Sequence, residues 1–408
     1  MAHIERDERV AAQSLLTAAA VRERAHEMLA AGLAGKLSHF TVDLDRLPAA
    51  ADFVAAVIRE NYPSLEVPFH ARWRHFVLNE RDLWAELAAR TRWPDAAARA
   101  RAAFDLAIVS VLLDAGAGPT WHYRDPATGA AIGRSEGLAL ASFRMFEAGA
   151  FSADPHDPHR ADASRLAALT RDDLAAGFRA SAANPLSGLD GRAALIARLG
   201  ATVAANPAVF GREPRPGGLY DHLAAKTVAA PRILEALLAH LGAIWPGRIA
   251  LDGIGLGDTW RHPAIVRSDA TNGLIPFHKL SQWLAYSLIE PLQAAGAAVT
   301  EIDGLTGLAE YRNGGLFVDT QVISLRDPAM AAQANSVDSS LVVEWRALTV
   351  ALLDRIAPLV RERLGVSAAA FPLARVLEGG TWAAGRRLAQ KLRDGVPPIR
   401  VDSDGTVF

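Results

Sequence analysis

From Val21 onward, apolar residues return every three or four positions (Val21, Ala25, Met28, Leu29, Leu33) with Arg and Glu between them. That is the spacing of one helix face, and Gly35 stands where such a helix stops. The period then changes. In HFTVDLDRL, Phe40, Val42 and Leu44 alternate with Thr41 and Asp43, which predicts a short strand turning before Pro48. Phe53, Val54, Val57 and Ile58 resume a helical stripe, and alanine-rich runs over 80–115, 160–205 and 220–245 favour helix because alanine loses no side-chain entropy there. The Pro/Gly clusters at 155–159 and 207–218 read as surface connections. Further on, the spacing predicts two long helices, one opened by Pro276 and one from about Ser339 to Leu364, with strands near Ala298–Ile302 and Leu316–Val318 between them. With no repeat and no flexible linker, the expectation is a mostly α protein, a single intertwined helical domain over 1–408 with a small β-element.

Composition narrows the function classes. Half of the 408 residues are hydrophobic and 22% are charged, enough for a sizeable core. Lys+Arg 43 against Asp+Glu 45 leaves a net charge of −2, so the chain offers no basic field to nucleic acid or to an anionic membrane. The absence of cysteine removes thiolate nucleophiles, disulfides and Cys-based zinc sites. The absence of cysteine also fits a reducing compartment, so a cytoplasmic location is expected, and the polar start MAHIERDERVAAQ does not read as a signal peptide. The most apolar stretch, Ala102 to Leu113, is interrupted by Asp105 and falls short of the ~20 residues of a membrane span.

Candidate chemistry sits in a few segments. Asp114 closes that apolar helix, ahead of Gly116, Gly118 and Pro119, where the helix dipole disfavours negative charge. It needs a partner, either a structural arginine such as Arg124 or a site. LDGIGLGDTWRHP has glycines at 253, 255 and 257 but no phosphate-loop signature, and reads as an irregular loop whose Asp258, Trp260, Arg261 and His262 suit a pocket wall. In FHKLSQWLAYSLIEP, Leu280, Leu284 and Leu288 form a core stripe and leave Lys279, Gln282 and Tyr286 along another face. Glu310, Tyr311 and Arg312 precede a glycine pair and the expected strand. Glu344 and Arg346, two apart on a helix, should point to nearly opposite faces, with Glu344 the buried one. The histidines of HDPH (156–159) read as surface residues, and nothing here calls for a metal or another cofactor. HExxH and GxSxG are both absent.

The runs PFHARWRHF, LLDAGAGPTWHYRD, GRSEGLALASFRMF, GLGDTWRHP, FHKLSQWL, GLAEYRNGG, LEGGTWAAGR and PPIRVDSDGTVF, in this order, resemble the uracil catabolism protein 4 family across nearly the whole chain. That resemblance implies a role in a uracil degradation route that opens the pyrimidine ring, acting afterwards on a ribosylurea-type compound. A more distant similarity is to queuosine 5'-phosphate N-glycosidases, whose helical body is similar to DNA glycosylases. It rests on Lys279 with Gln282, on Ala309-Glu310-Tyr311-Arg312, where the relative has Asp in place of Glu310, and on Glu344 with Arg346. Together the resemblances imply cleavage of an N-ribosidic bond of ribosylurea or its 5'-phosphate, releasing urea. A carboxylate must then face an oxocarbenium-like transition state, with Glu310 first and Asp258 or Asp114 sharing the task or holding ribose hydroxyls. Lys279 with Arg261 or Arg312 would take a phosphate, Trp260 and Tyr311 would wall the pocket, and Glu344 completes the binding set. The competing expectation is a non-catalytic nucleotide sensor or scaffold of the same route. Either way the partner is a small ribosyl or nucleotide-derived molecule, with no nucleic acid and no membrane.

Overall fold

A computed structural model describes residues 2–402 apart from 115, 119, 246 and 247. Pro119 and the end of the PPIRVDSDGTVF run, 403–408, lie outside the described residues. The chain is mostly α, and its strands form two-stranded pairs. Its contacts divide it into two compact units interleaved in sequence: unit 1 is Met1–His70, Gly247–Trp283 and Glu301–Phe408, and unit 2 is Ala71–Pro246 and Leu284–Thr300. No described helix is long and apolar enough to cross a membrane.

Unit 1 is built on the helix Ser340–Leu364. Ser339 caps it by accepting from the Val342 amide at 3.3 Å, and Gly365, with φ of 71°, ends it in the left-handed conformation. Every residue from Leu341 to Leu353 is buried, as expected of a helix surrounded by other elements. The helices Ala18–Leu33 and Leu47–Asn61 pack along it. The expected strand is present as Phe40–Val42, paired antiparallel with Ile323–Leu325.

Unit 2 has its own central helix, Ala96–Leu112, capped by Asp95 and buried at every residue from Ala102 to Leu112. The buried Asp105 is satisfied by a neighbour that sequence patterning misplaced. The 207–218 cluster, expected at the surface, carries the short helices Pro207–Phe210 and Pro216–Gly218, and the second is buried. Gly217 donates its amide to Asp105, and a Cβ there would lie 2.3 Å from the Arg101 carbonyl oxygen. Arg215 and the Ala161 amide also donate to Asp105. A buried carboxylate demands such donors, and that need outweighed the solvent preference of a Pro/Gly run.

Three further expectations are corrected. Pro276 lies in the strand Leu274–Pro276, paired with Thr259–Arg261, and the helix begins at Lys279. The glycines of LDGIGLGD shape a tight hairpin: Asp252 and Gly253, with φ of 46° and 71°, turn Ala250–Leu251 back onto Ile254–Gly255. Leu316–Val318 is helical, within Tyr311–Asp319, because Glu310 caps that helix. Its Gly314 lies against Trp345 and Thr349, where a Cβ would meet side-chain atoms at 2.7 Å.

Candidate functional site

Asp258 organises one end of the group in unit 1. Arg346 donates to its two carboxylate oxygens at 2.8 and 2.7 Å, a bidentate fork. The Trp260 indole N–H donates at 2.6 Å and the Lys279 amide at 3.0 Å. Burial pushes the Asp258 carboxyl up, but Arg346 and the other donors outweigh it and hold the group below the ordinary aspartate range. Arg346 is stacked on Phe277, its Cζ 4.2 Å from the ring centroid, and its Nε reaches the Ala309 carbonyl at 3.4 Å. One guanidinium therefore connects Asp258 to the residue preceding Glu310.

Glu310 is the N-cap of the helix Tyr311–Asp319. Its Oε2 accepts from the Arg312 amide at 2.9 Å and its Oε1 from the Asn313 amide at 2.5 Å. A carboxylate at a helix N-terminus is favoured by the dipole and fixed in direction, and each oxygen retains a lone pair beyond its backbone bond. Glu310 is 8% exposed. Arg312 sits between two aromatic faces, with Cζ 5.1 Å from Tyr311 and 5.5 Å from Trp382.

Of the residues singled out from sequence, Asp258, Trp260, Lys279, Glu310, Tyr311 and Arg312 thus belong to one bonded and stacked series in unit 1. Arg261 is exposed on its strand. Glu344 does different work: its oxygens accept from the Ser38 and His39 amides at 3.1 and 3.0 Å, and His262 Nε2 lies 3.4 Å away. It ties the long helix to the start of the Phe40–Val42 strand. Glu344 and Arg346 are both buried, correcting the expectation that only one would be, because elements of unit 1 cover the Ser340–Leu364 helix on every side here. Gln282 is buried too, hydrogen-bonded to Thr306 and the Phe277 carbonyl, so the expected polar face is internal.

Asp114 belongs to unit 2. Its partner is Arg72, at 2.6 Å, with Ser135, and not Arg124, which is exposed and donates to the Gly129 carbonyl. Burial pulls the Arg72 guanidinium below its ordinary value despite Asp114, and pulls Arg192 down to about 10. Unit 2 also has a cleft of about 170 Å³ beside Trp73, Trp84 and the Arg74–Glu290 pair, and none of the sequence candidates line it.

Residue-by-residue reading of the sequence passed over Arg346 as a site member, and over His70, Glu378 and Trp382. The last three lie in two of the runs that carry the family resemblance, PFHARWRHF and LEGGTWAAGR. His70 Nδ1 is 2.6 Å from Glu378 Oε2, and its ring lies 6.0 Å from Trp382 and 6.4 Å from Trp283.

Comparison with known proteins agrees with the resemblance. Residues 14–408 match the family described as "Protein of unknown function (DUF1688)". The chain is 38% identical to uracil catabolism protein 4 of Lachancea kluyveri, over 92% of this chain and 93% of that one. It is also 38% identical to protein urg3 of Schizosaccharomyces pombe, over 97% and 98%. A family match over nearly the whole chain makes it a member of the DUF1688 family, and its identity to uracil catabolism protein 4 and urg3 extends over the same length.

Proposed function

We propose that the protein acts in uracil catabolism, as the name of its Lachancea relative states of that protein, and that it hydrolyses the N-ribosidic bond of ribosylurea or its 5'-phosphate. The observation that carries the reading is two carboxylates fixed in one connected group: Asp258, held by the Arg346 fork, and Glu310, which caps the helix that follows the Ala309 carbonyl that Arg346 also reaches. Water attacks C1' as the C1'–N bond breaks. The electron pair leaves with the urea nitrogen, which takes up the proton that the attacking water gives up, and the products are urea and ribose, or ribose 5-phosphate from the 5'-phosphate. Positive charge that develops on the sugar is stabilised by an oriented carboxylate, and Glu310 is the one whose charge is not already matched by a guanidinium fork. Asp258, neutralised by Arg346, serves as an acceptor for ribose hydroxyls. Lys279 and Arg312 would take a 5'-phosphate.

Incubating the protein with ribosylurea and with its 5'-phosphate, and following urea release, tests this directly. Glu310→Gln is expected to lower turnover by about 10²-fold with substrate affinity retained. One of the two cap bonds is also lost, for a stability cost of about 1 kcal/mol. Unchanged turnover in Glu310→Gln removes that residue from the role. No urea from either compound overturns the hydrolase reading in favour of a sensor, and calorimetry with pyrimidine nucleotides then takes over.

A further inference from the structure

Unit 1 contains a π-helix, Val376–Thr381, running into the helix Trp382–Arg393. Such turns weaken local hydrogen bonding, are rare, and concentrate where a side chain must be displayed off the α-helical register. Here the backbone is pressed onto the Leu47–Asn61 helix and the residues after it. A Cβ on Gly379 would lie 2.8 Å from Val67 and one on Gly380 2.9 Å from Ile58. The side chain so displayed is Glu378, whose Oε2 meets His70 Nδ1 at 2.6 Å. His70 is itself fixed, with its amide bonded to the Ala374 carbonyl at 3.0 Å and its ring near Trp283 and Trp382.

The pairing leaves chemistry unused. Among the described residues, Glu378 Oε1 and His70 Nε2 have no hydrogen-bond partner. The Glu378 contact holds a proton on Nδ1, so Nε2 accepts when the ring is neutral and donates when it is cationic. A carboxylate acceptor beside an imidazole that has two indoles near it complements a flat group that carries N–H donors beside a carbonyl. The dyad is also wired to the Glu310 group. Thr381 donates to Asn313 Oδ1 at 2.8 Å, Asn313 donates its amide to Glu310, and Arg312 stacks on the same Trp382 that flanks His70.

We propose that His70 and Glu378, with Trp283 and Trp382, form the subsite for the planar ureido part of the substrate. This rests on the ribosylurea reading above and extends it: the sugar faces Glu310 and Asp258, while Glu378 Oε1 accepts from the ureido N–H groups and His70 Nε2 meets its carbonyl or remaining N–H.

The test is calorimetric titration of wild type, His70→Asn, Glu378→Gln and Glu378→Asp with ribosylurea, its 5'-phosphate and ribose, alongside the urea-release assay. Expected is a loss of ribosylurea affinity of about tenfold or more in each variant, with ribose affinity unchanged. The His70 Nε2 resonance of the folded wild type should also shift when ribosylurea is added. Glu378→Asp keeps the charge and guards against a folding failure of the Gln variant. Wild-type affinity for ribosylurea in all variants overturns the subsite, whatever the urea assay gives. Loss of affinity together with no urea release from wild type keeps the subsite and overturns the hydrolase reading. Binding of neither ribosylurea nor its 5'-phosphate by wild type, with no urea released from either, overturns both.

Discussion

Each unit threads a buried helix through its centre and attaches a carboxylate–guanidinium pair to it, yet the two pairs are built with opposite consequences. In unit 2 the helix supplies the acid. Asp105, fully buried, gathers Arg215 and the amides of Ala161 and Gly217, and burial still raises its carboxyl above the ordinary value. In unit 1 the helix supplies the base. Arg346 forks onto Asp258, whose side chain keeps 12% exposure, and the carboxyl is held below the ordinary value. The first arrangement spends its hydrogen bonds on making a buried charge tolerable. The second keeps a charge ionised, oriented and near solvent, which is what a site requires.

The largest expected effect follows from removing the partner in unit 2. Arg215→Ala leaves Asp105 buried with only amide donors, and breaking such a pair costs about 3–5 kcal/mol. Urea denaturation should show that loss while turnover per folded molecule is retained. A loss under about 1 kcal/mol would mean that the two amides alone satisfy Asp105, and the contrast between the units would weaken.

Asp258→Asn should divide its effect differently. The amide keeps the shape and part of the hydrogen bonding, so stability falls by about 1–3 kcal/mol. Turnover in the urea assay should fall by about 10²-fold, because an acceptor for ribose and the orientation of Arg346 are both lost. If Asp258→Asn were as destabilising as Arg215→Ala and fully active when folded, Asp258 would be a structural acid like Asp105.

The same contrast explains what could be read from the chain beforehand. Helical periods at 18–33, 47–61 and 340–364 were evident because apolar residues there follow one period, and that depends on local geometry. Asp258, Glu310 and their neighbours stood out as polar residues in apolar or glycine-rich company. What local reading missed was set by tertiary demand. Glu310 capped what looked like a strand, since a cap bond is invisible to periodicity. The Pro/Gly run at 216–218 was drawn inside by Asp105. Glu344 looked like a site acid because burial is inferable from a helix pattern, whereas its partners, the amides of Ser38 and His39, lie 305 and more residues away in sequence. Glu378 gave no local signal because nothing in the composition of VLEGGTW announces a π-turn.

The smallest effect, and the one that separates the two pairs by sign, is the response to acid. Asp258 has a folded-state value below the ordinary 3.8, so it contributes stability that is complete above 3.8 and is lost as pH falls through its folded value. Asp105 has a folded-state value above 3.8, so the native state binds its proton first, and stability rises as pH falls from that value towards 3.8. Asn at either position cannot titrate. The stability deficit of Asp258→Asn relative to wild type should therefore shrink as pH drops below about 4, and that of Asp105→Asn should grow as pH is lowered towards about 4. Each slope is bounded at about 1.4 kcal/mol per pH unit for one proton. Urea denaturation of the three proteins across mildly acidic pH measures both deficits. Slopes of the same sign would show that the two carboxyls are held alike, and the distinction between a tolerated charge and a poised one would fall.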